Sequence, residues 1–241
     1  RPNPLGGELI LGNRIPVELS SFVGDYELPI RYGLTIGEIG KYFIKYKNID
    51  VEYKVIELLN YTRSTYYCDT GQLWNIPSPA IQSFETTICY SGGCFFEGTN
   101  ISEGRGSAKP FQIFGSPWFD MDKIYRILKK EINENFAFRK RAFVPFFSKY
   151  KDEICFGIEF MPLKKDANFI PVSLKLLKAI AKVHPEKFKY TSYADVERID
   201  NLTGDPGVRK YIEGTVTLEE ILERCKIEAS QFKDYVEELR I

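Results

Sequence analysis

Between residues 61 and 118 the chain loses regular pattern, and this stretch most constrains what it can fold into. It is crowded with Gly, Ser, Thr, Pro and Asn, and its apolar residues come in short runs. A stretch this long and irregular inside a compact domain is usually disordered or functional. Trp74, Phe84, Phe95, Phe96, Phe111 and Trp118 argue against disorder, because so much aromatic surface can be buried. The expectation is a loop-rich centre that folds and carries function.

Regular elements flank it. Residues 1–16, with Pro2, Pro4, Gly6, Gly7, Gly12 and Pro16, read as loop. Thr35-Ile36-Gly37-Glu38 has the spacing of a capping box, and Ile36, Ile39, Phe43 and Ile44 continue a helix to about Tyr46. Val51–Leu59 reads as a strand. Asp120 is placed to cap a helix through Ile124, Ile127 and Leu128. Ala142–Phe147 and Ile154–Met161 read as strands joined by the polar turn 149–153. Ser173–Val183 is amphipathic and is stopped by Pro185. Thr217-Leu218-Glu219-Glu220 forms a second capping box, and Ser230 is expected to cap a final helix. The class is mixed α and β, with a junction near residue 118 dividing residues 1–118 from 119–241.

Composition narrows the function. Hydrophobic residues make up 44% and charged residues 27%, an ordinary globular balance. Lys+Arg and Asp+Glu both number 33, so there is no basic field for nucleic acid or an anionic membrane. No apolar run approaches the length of a membrane span. The five cysteines (Cys68, Cys89, Cys94, Cys155, Cys225) contain no C-x-x-C pair and lie far in sequence from the single histidine, His184. Buried free thiols are therefore expected rather than zinc or a disulfide framework. His184, beside Pro185 at a helix end, suits a capping or solvated role better than that of a catalytic base. No cofactor is expected.

The densest chemistry lies in Glu97-Gly98-Thr99-Asn100-Ile101-Ser102-Glu103-Gly104-Arg105-Gly106-Ser107. Its three glycines let the backbone bend sharply and approach a ligand closely. Between them stand two carboxylates, a guanidinium, an amide and several hydroxyls, a set suited to a polyhydroxylated molecule. A hydrated surface turn would have the same composition. The P-loop spacing is absent.

Several motifs in order resemble the exo-β-N-acetylmuramidases, long catalogued as a domain of unknown function. They are Arg1–Gly7, Ser21–Gly24, Pro29–Glu38, Trp74–Pro79, Glu97–Gly106, Pro110-Phe111 and Gly115–Trp118. Tyr32 stands where the family usually has His, and Ser107 where it usually has Thr. The resemblance implies that residues 1–118 are the end of a Rossmann-like domain, followed by a smaller α+β domain. It implies release of N-acetylmuramic acid from non-reducing ends of peptidoglycan, and hence a periplasmic or extracellular location. The family's proposed proton donor lies in a Pro-Glu-His-Gly context, which does not occur in these 241 residues. The chain, opening Arg1-Pro2-Asn3-Pro4 without Met, is accordingly expected to be a C-terminal portion without its N-terminal segment.

On this reading Glu97 and Glu103 are candidates for a catalytic carboxylate or for binding sugar hydroxyls. Asn3, Asn100, Ser102 and Arg105 are candidate substrate-binding residues. Arg105 suits either a clamp on a ligand carboxylate or a structural ion pair with Glu97 or Glu103. Glu97, Asn100, Glu103 and Arg105 are expected to converge on one cleft, with Arg1–Gly7 packed beside it. The alternatives to an enzyme are a non-catalytic cell-wall glycan-binding protein and one half of a split enzyme.

Overall fold

The computed structural model describes residues 4–132, 135–193 and 196–240. The fold is mixed α and β, as expected. Strand β1 (Leu11–Arg14) pairs antiparallel with β2 (Pro29–Arg31). Helix α1 (Ile36–Lys47) follows, and α2 (Phe84–Gly93) runs into a 3-10 turn over Cys94–Gly98. Then come β3 (Ile113–Ser116), α3 (Met121–Glu131), β4 (Phe136–Phe143), β5 (Cys155–Pro162) and α4 (Ile170–Val183). A short pair, β6 (Ser192–Tyr193) and β7 (Val196–Glu197), leads to α5 (Arg198–Thr203), α6 (Gly207–Glu213) and α7 (Leu218–Val236). The main sheet has the order β3-β5-β4. Every strand pair among the described residues is antiparallel.

The sheet and helices close over one apolar core. Phe96, Phe114, Phe160 and Phe169 are fully buried in it, and the Phe96 and Phe114 ring centroids lie 4.3 Å apart. Residues from Leu5 to Cys225 contribute, so this core spans both sides of residue 118. A smaller cluster joins Leu34 and Tyr42 to Phe232 and Val236 of α7.

The capped helices form where the caps predict. The Thr35 amide donates to Glu38 Oε2 at 2.8 Å, while Glu38 N donates to Thr35 Oγ1 at 3.2 Å. Thr217 and Glu220 repeat the arrangement on α7, and Asp120 Oδ1 accepts from Lys123 N at 2.9 Å on α3. These local exchanges satisfy amides that the first helical turn leaves without partners.

Elsewhere the structure corrects the sequence. Val51–Leu59 is not a strand. Its residues lie across α1, where Tyr53 Oη donates to the Gly37 carbonyl at 3.2 Å, and they have no neighbouring ladder among the described residues. Strand propensity cannot act without a pairing partner. Ser230 does not start a helix. The buried row Ile221, Cys225, Ala229, Phe232 and Val236 carries α7 through it without a break. The strand expected at 142–147 instead spans Phe136–Phe143, and Pro145, lacking an N–H, stands just beyond its end. Helix α2 lies inside the stretch that read as irregular. Its buried Ser91, Gly92 and Gly93 serve close approach rather than flexibility. A Cβ on Gly92 would meet Ser173 Oγ at 2.7 Å and the Phe169 carbonyl at 2.9 Å.

Candidate active-site cleft

Helix α2 and its 3-10 extension deliver Glu97 to the mouth of a cleft of about 510 Å³. One wall is the turn between β1 and β2, with Phe22, Asp25 and Leu28, continued by Pro29 and Ile30 of β2 and by Tyr32 just after it. The other carries Tyr90, Cys94, Glu97 and Arg105, and Arg198 and Leu202 of α5 close one side.

The glycine-rich loop is held rigidly behind Glu97. Ser102 exchanges two backbone hydrogen bonds with Gly115, at 2.9 and 3.0 Å, so the loop is an extra rung on β3. Gly104 and Gly106 have φ of +78° and +81°, where a side chain would be strained. Lys149 fastens the underside, because its Nζ donates to the carbonyls of Phe96 and Ile101 and to Glu103 Oε2, each at 2.9 Å.

The charges form a chain. Arg105 Nη2 donates to Glu97 Oε1 at 3.2 Å, and Arg105 Nε lies 3.3 Å from Glu103 Oε1. The same guanidinium sits 4.8 Å from the Phe111 ring centroid. The other Glu97 oxygen, Oε2, lies 3.6 Å from Arg198 Nη2. Both Glu97 oxygens therefore face guanidinium groups, and both Glu103 oxygens face cations, Arg105 and Lys149. Arg105 is the keystone of the loop, pairing with both Glu97 and Glu103.

Burial sets the remaining chemistry. Tyr90, edge-on to Phe111 at 4.8 Å, has its pKa pushed up to about 12 by burial, and burial also raises that of Tyr32. Both tyrosines are neutral hydrogen-bonding phenols near pH 7, each with an aryl face. Burial likewise raises the Cys94 thiol to about 12, so it is no thiolate nucleophile. Asp25 is lowered by its hydrogen bond from the Ser20 hydroxyl and by a second from Tyr26 N.

The predicted site residues are only partly brought together. Glu97 and Arg105 line the cleft, while Glu103, 2% exposed, lies behind them. Asn100 turns away: its Nδ2 donates to the Lys187 carbonyl at 2.8 Å and its Oδ1 accepts from Lys189 N at 2.9 Å. That side chain ties the loop to the segment after α4, because its amide matches a free backbone edge there. Ser102 is buried, and its Oγ accepts from Gly104 N at 3.2 Å. Asn3 lies outside the described residues. Of the segment Arg1–Gly7, the described part is tied to Arg63 and to Arg31, which stands between the cleft-lining Ile30 and Tyr32. Gly7 N donates to the Arg63 carbonyl at 2.8 Å, and Arg31 donates to the Leu5 carbonyl. It lends no lining residue to the cleft. Asp25, Tyr90 and Arg198 were not foreseen, because each joins the cleft only through tertiary packing.

His184 caps rather than catalyses: its Nε2 accepts from Asp120 N at 3.0 Å at the start of α3. All five cysteines are free, Cys68 exposed and the others buried. Among the described residues no cluster of His, Cys, Asp and Glu could hold a metal, and no helix is long and apolar enough to cross a membrane.

The fold is that of the DUF1343 proteins. Two crystal structures from Bacteroides fragilis NCTC 9343 superpose on the whole chain and 64% of their own lengths. Their TM-scores are 0.88 at 22% identity and 0.77 at 26% identity. The C-terminal model of the exo-β-N-acetylmuramidase NamZ family matches residues 88–241, and the N-terminal model matches residues 1–85. Peptidoglycan β-N-acetylmuramidase NamZ of Bacillus subtilis (strain 168) is 33% identical over 233 residues, covering 96% of this chain. The chain belongs to the exo-β-N-acetylmuramidase NamZ family. It spans 56% of the length of the Bacillus relative. The match to the N-terminal model corrects the expectation that only the C-terminal portion is represented.

Proposed function

We propose that the cleft binds the N-acetylmuramic acid end of peptidoglycan fragments and that the protein works in their hydrolysis. The carrying observation is that residues from motifs far apart in the chain, Phe22–Gly24, then Pro29, Ile30 and Tyr32, then Glu97 and Arg105, line one cavity. Its walls combine aryl faces, which suit the C–H faces of a pyranose, with carboxylate, guanidinium and phenol groups for its hydroxyls. A substrate of this class supports a periplasmic or extracellular location.

Glycoside hydrolysis needs a carboxyl group able to hand a proton to the leaving oxygen. Glu97 and Glu103 have every oxygen facing a cation, so we assign them to shaping the cleft. Tyr32, a phenol in the cleft in place of the family's usual His, and the commitment of Glu97 and Glu103 to cations favour a second reading, a glycan-binding protein. Either way binding and turnover separate in this chain. General acid catalysis typically contributes about a hundred- to ten-thousand-fold, so the 241-residue protein should bind N-acetylmuramic acid yet release chromophore from a chromogenic N-acetylmuramide only marginally. Calorimetry beside that assay tests the proposal. Robust turnover would return Glu97 or Glu103 to the acid role, and absence of binding would remove the sugar site.

A further inference from the structure

Four charged side chains line the cleft: Asp25, Glu97, Arg105 and Arg198. Three are committed within the protein. Asp25 accepts from Ser20 Oγ and Tyr26 N. Glu97 lies between two arginines, and Arg105 holds two carboxylates while lying over Phe111. Arg198 differs. Its side chain is 41% exposed against 30% for Arg105, and its one ion pair among the described residues, to Glu97 Oε2, is 3.6 Å long. A guanidinium has five N–H donors in a planar fork, so most of the hydrogen-bonding capacity of Arg198 is unspent among the described residues. The position is as informative as the chemistry. Beside the cleft lies a second cavity of about 340 Å³, lined by Ser21, Phe22, Val23, Arg198 and Asn201. Phe22, Val23 and Arg198 line both. Arg198 thus stands at the junction, opposite a fully exposed Phe22.

We infer that Arg198 reads the carboxylate of an acidic amino sugar, and that the junction it guards is where the lactyl ether leaves the pyranose ring. This rests on the cleft being the sugar site proposed above. It moves the carboxylate contact from Arg105, whose fork is occupied, to the arginine whose fork is open. Glu97 then orients Arg198 from behind, holding one edge so that the others face the ligand. A planar fork matches a carboxylate in a two-bond geometry that a lysine ammonium cannot copy.

The test compares two sugars that share a ring and differ in the lactyl carboxylate, N-acetylmuramic acid and N-acetylglucosamine. Both are titrated by calorimetry into the 241-residue protein, Arg198→Gln and Arg198→Lys. A hydrogen bond to a charged group corresponds to about a ten- to hundred-fold change in affinity. The unmodified protein is expected to prefer N-acetylmuramic acid by about that factor. The ratio should fall towards one in Arg198→Gln and to an intermediate value in Arg198→Lys, with thermal unfolding of each variant confirming a folded protein. A ratio that survives Arg198→Gln overturns the assignment, as does equal binding of the two sugars by the unmodified protein. Both results leave the sugar site standing. If neither sugar binds, the sugar site itself fails and the assignment falls with it.

Discussion

Replacing Lys149 with Met keeps most of the apolar stem and deletes the ammonium. Three hydrogen bonds of 2.9 Å disappear, to the carbonyls of Phe96 and Ile101 and to Glu103 Oε2. Hydrogen bonds to charged groups contribute about 1.5–3 kcal/mol each, so a simple sum would be large. Three effects reduce it. The freed side chain regains up to about 2 kcal/mol of rotamer entropy. Arg105 stays on the other oxygen of Glu103. Lys149 is 26% exposed, so water can reach the vacated edge. Losing one partner of a buried pair typically costs about 3–5 kcal/mol, and the low end of that range, about 3 kcal/mol, is expected. In a chain of this size each kcal/mol moves the midpoint by about 2–4 °C, giving a drop of roughly 6–12 °C. Urea unfolding followed by tryptophan fluorescence suits the measurement, because Trp118 Nε1 donates to Tyr150 Oη at 3.3 Å, next door to the change. Pairing the variant with Glu103→Gln separates causes. If the ion pair matters, the double variant costs less than the sum of the singles by more than about 0.5 kcal/mol. A loss below about 1 kcal/mol for Lys149→Met, or strict additivity, would refute the view that this lysine clamps the glycine loop.

Two further outcomes follow from named contacts. His184 has its pKa lowered, chiefly by burial. Its contribution to stability is complete above the ordinary value of 6.5 and is lost as pH falls from there through the lowered folded value. The stability advantage over His184→Gln, from urea curves between pH 7.5 and 5, should therefore shrink on the acid side, and parallel pH profiles would contradict it. Gly98→Ala sets a Cβ 2.5 Å from Ile199 N and 2.6 Å from its Cα, backbone that cannot rotate away. Overpacking of this kind costs about 1–3 kcal/mol or more, and a thermal midpoint within a degree of the parent would show that α5 is free to shift.

What could be read from sequence was what local chemistry decides. The caps Thr35, Asp120 and Thr217 act within four residues, so three helix starts were visible. Helix α2 was hidden because the residues that bring it close to α4, Ser91, Gly92 and Gly93, resemble those of a loop. Val51–Leu59 misled for the opposite reason, since its propensity is real but its pairing is not local. In the cleft, Glu97 and Arg105 were legible because they lie in one short run. Arg198 sits on an ordinary helix start about a hundred residues later, and Asp25 in a turn some seventy residues earlier. Neither has a neighbour in sequence that marks it. Asn100 looked like its companions in the loop, and only the direction of its side chain separates it from them.

The pairing of β1 with α7 has a consequence for how the molecule comes into being. Arg14 N donates to Glu228 Oε2 at 2.6 Å across 214 residues, and Asn13 meets Cys225 nearby. The turn that forms one wall of the cleft hangs from this strand. During synthesis that wall emerges 214 residues ahead of the side chain that anchors it. Contacts so distant in sequence must bear their loop-closure entropy before they stabilise anything. The core around Phe114 and Phe160 can form sooner, from segments closer together. This wall of the cleft is thus secured only once the segment that forms α7 has been made.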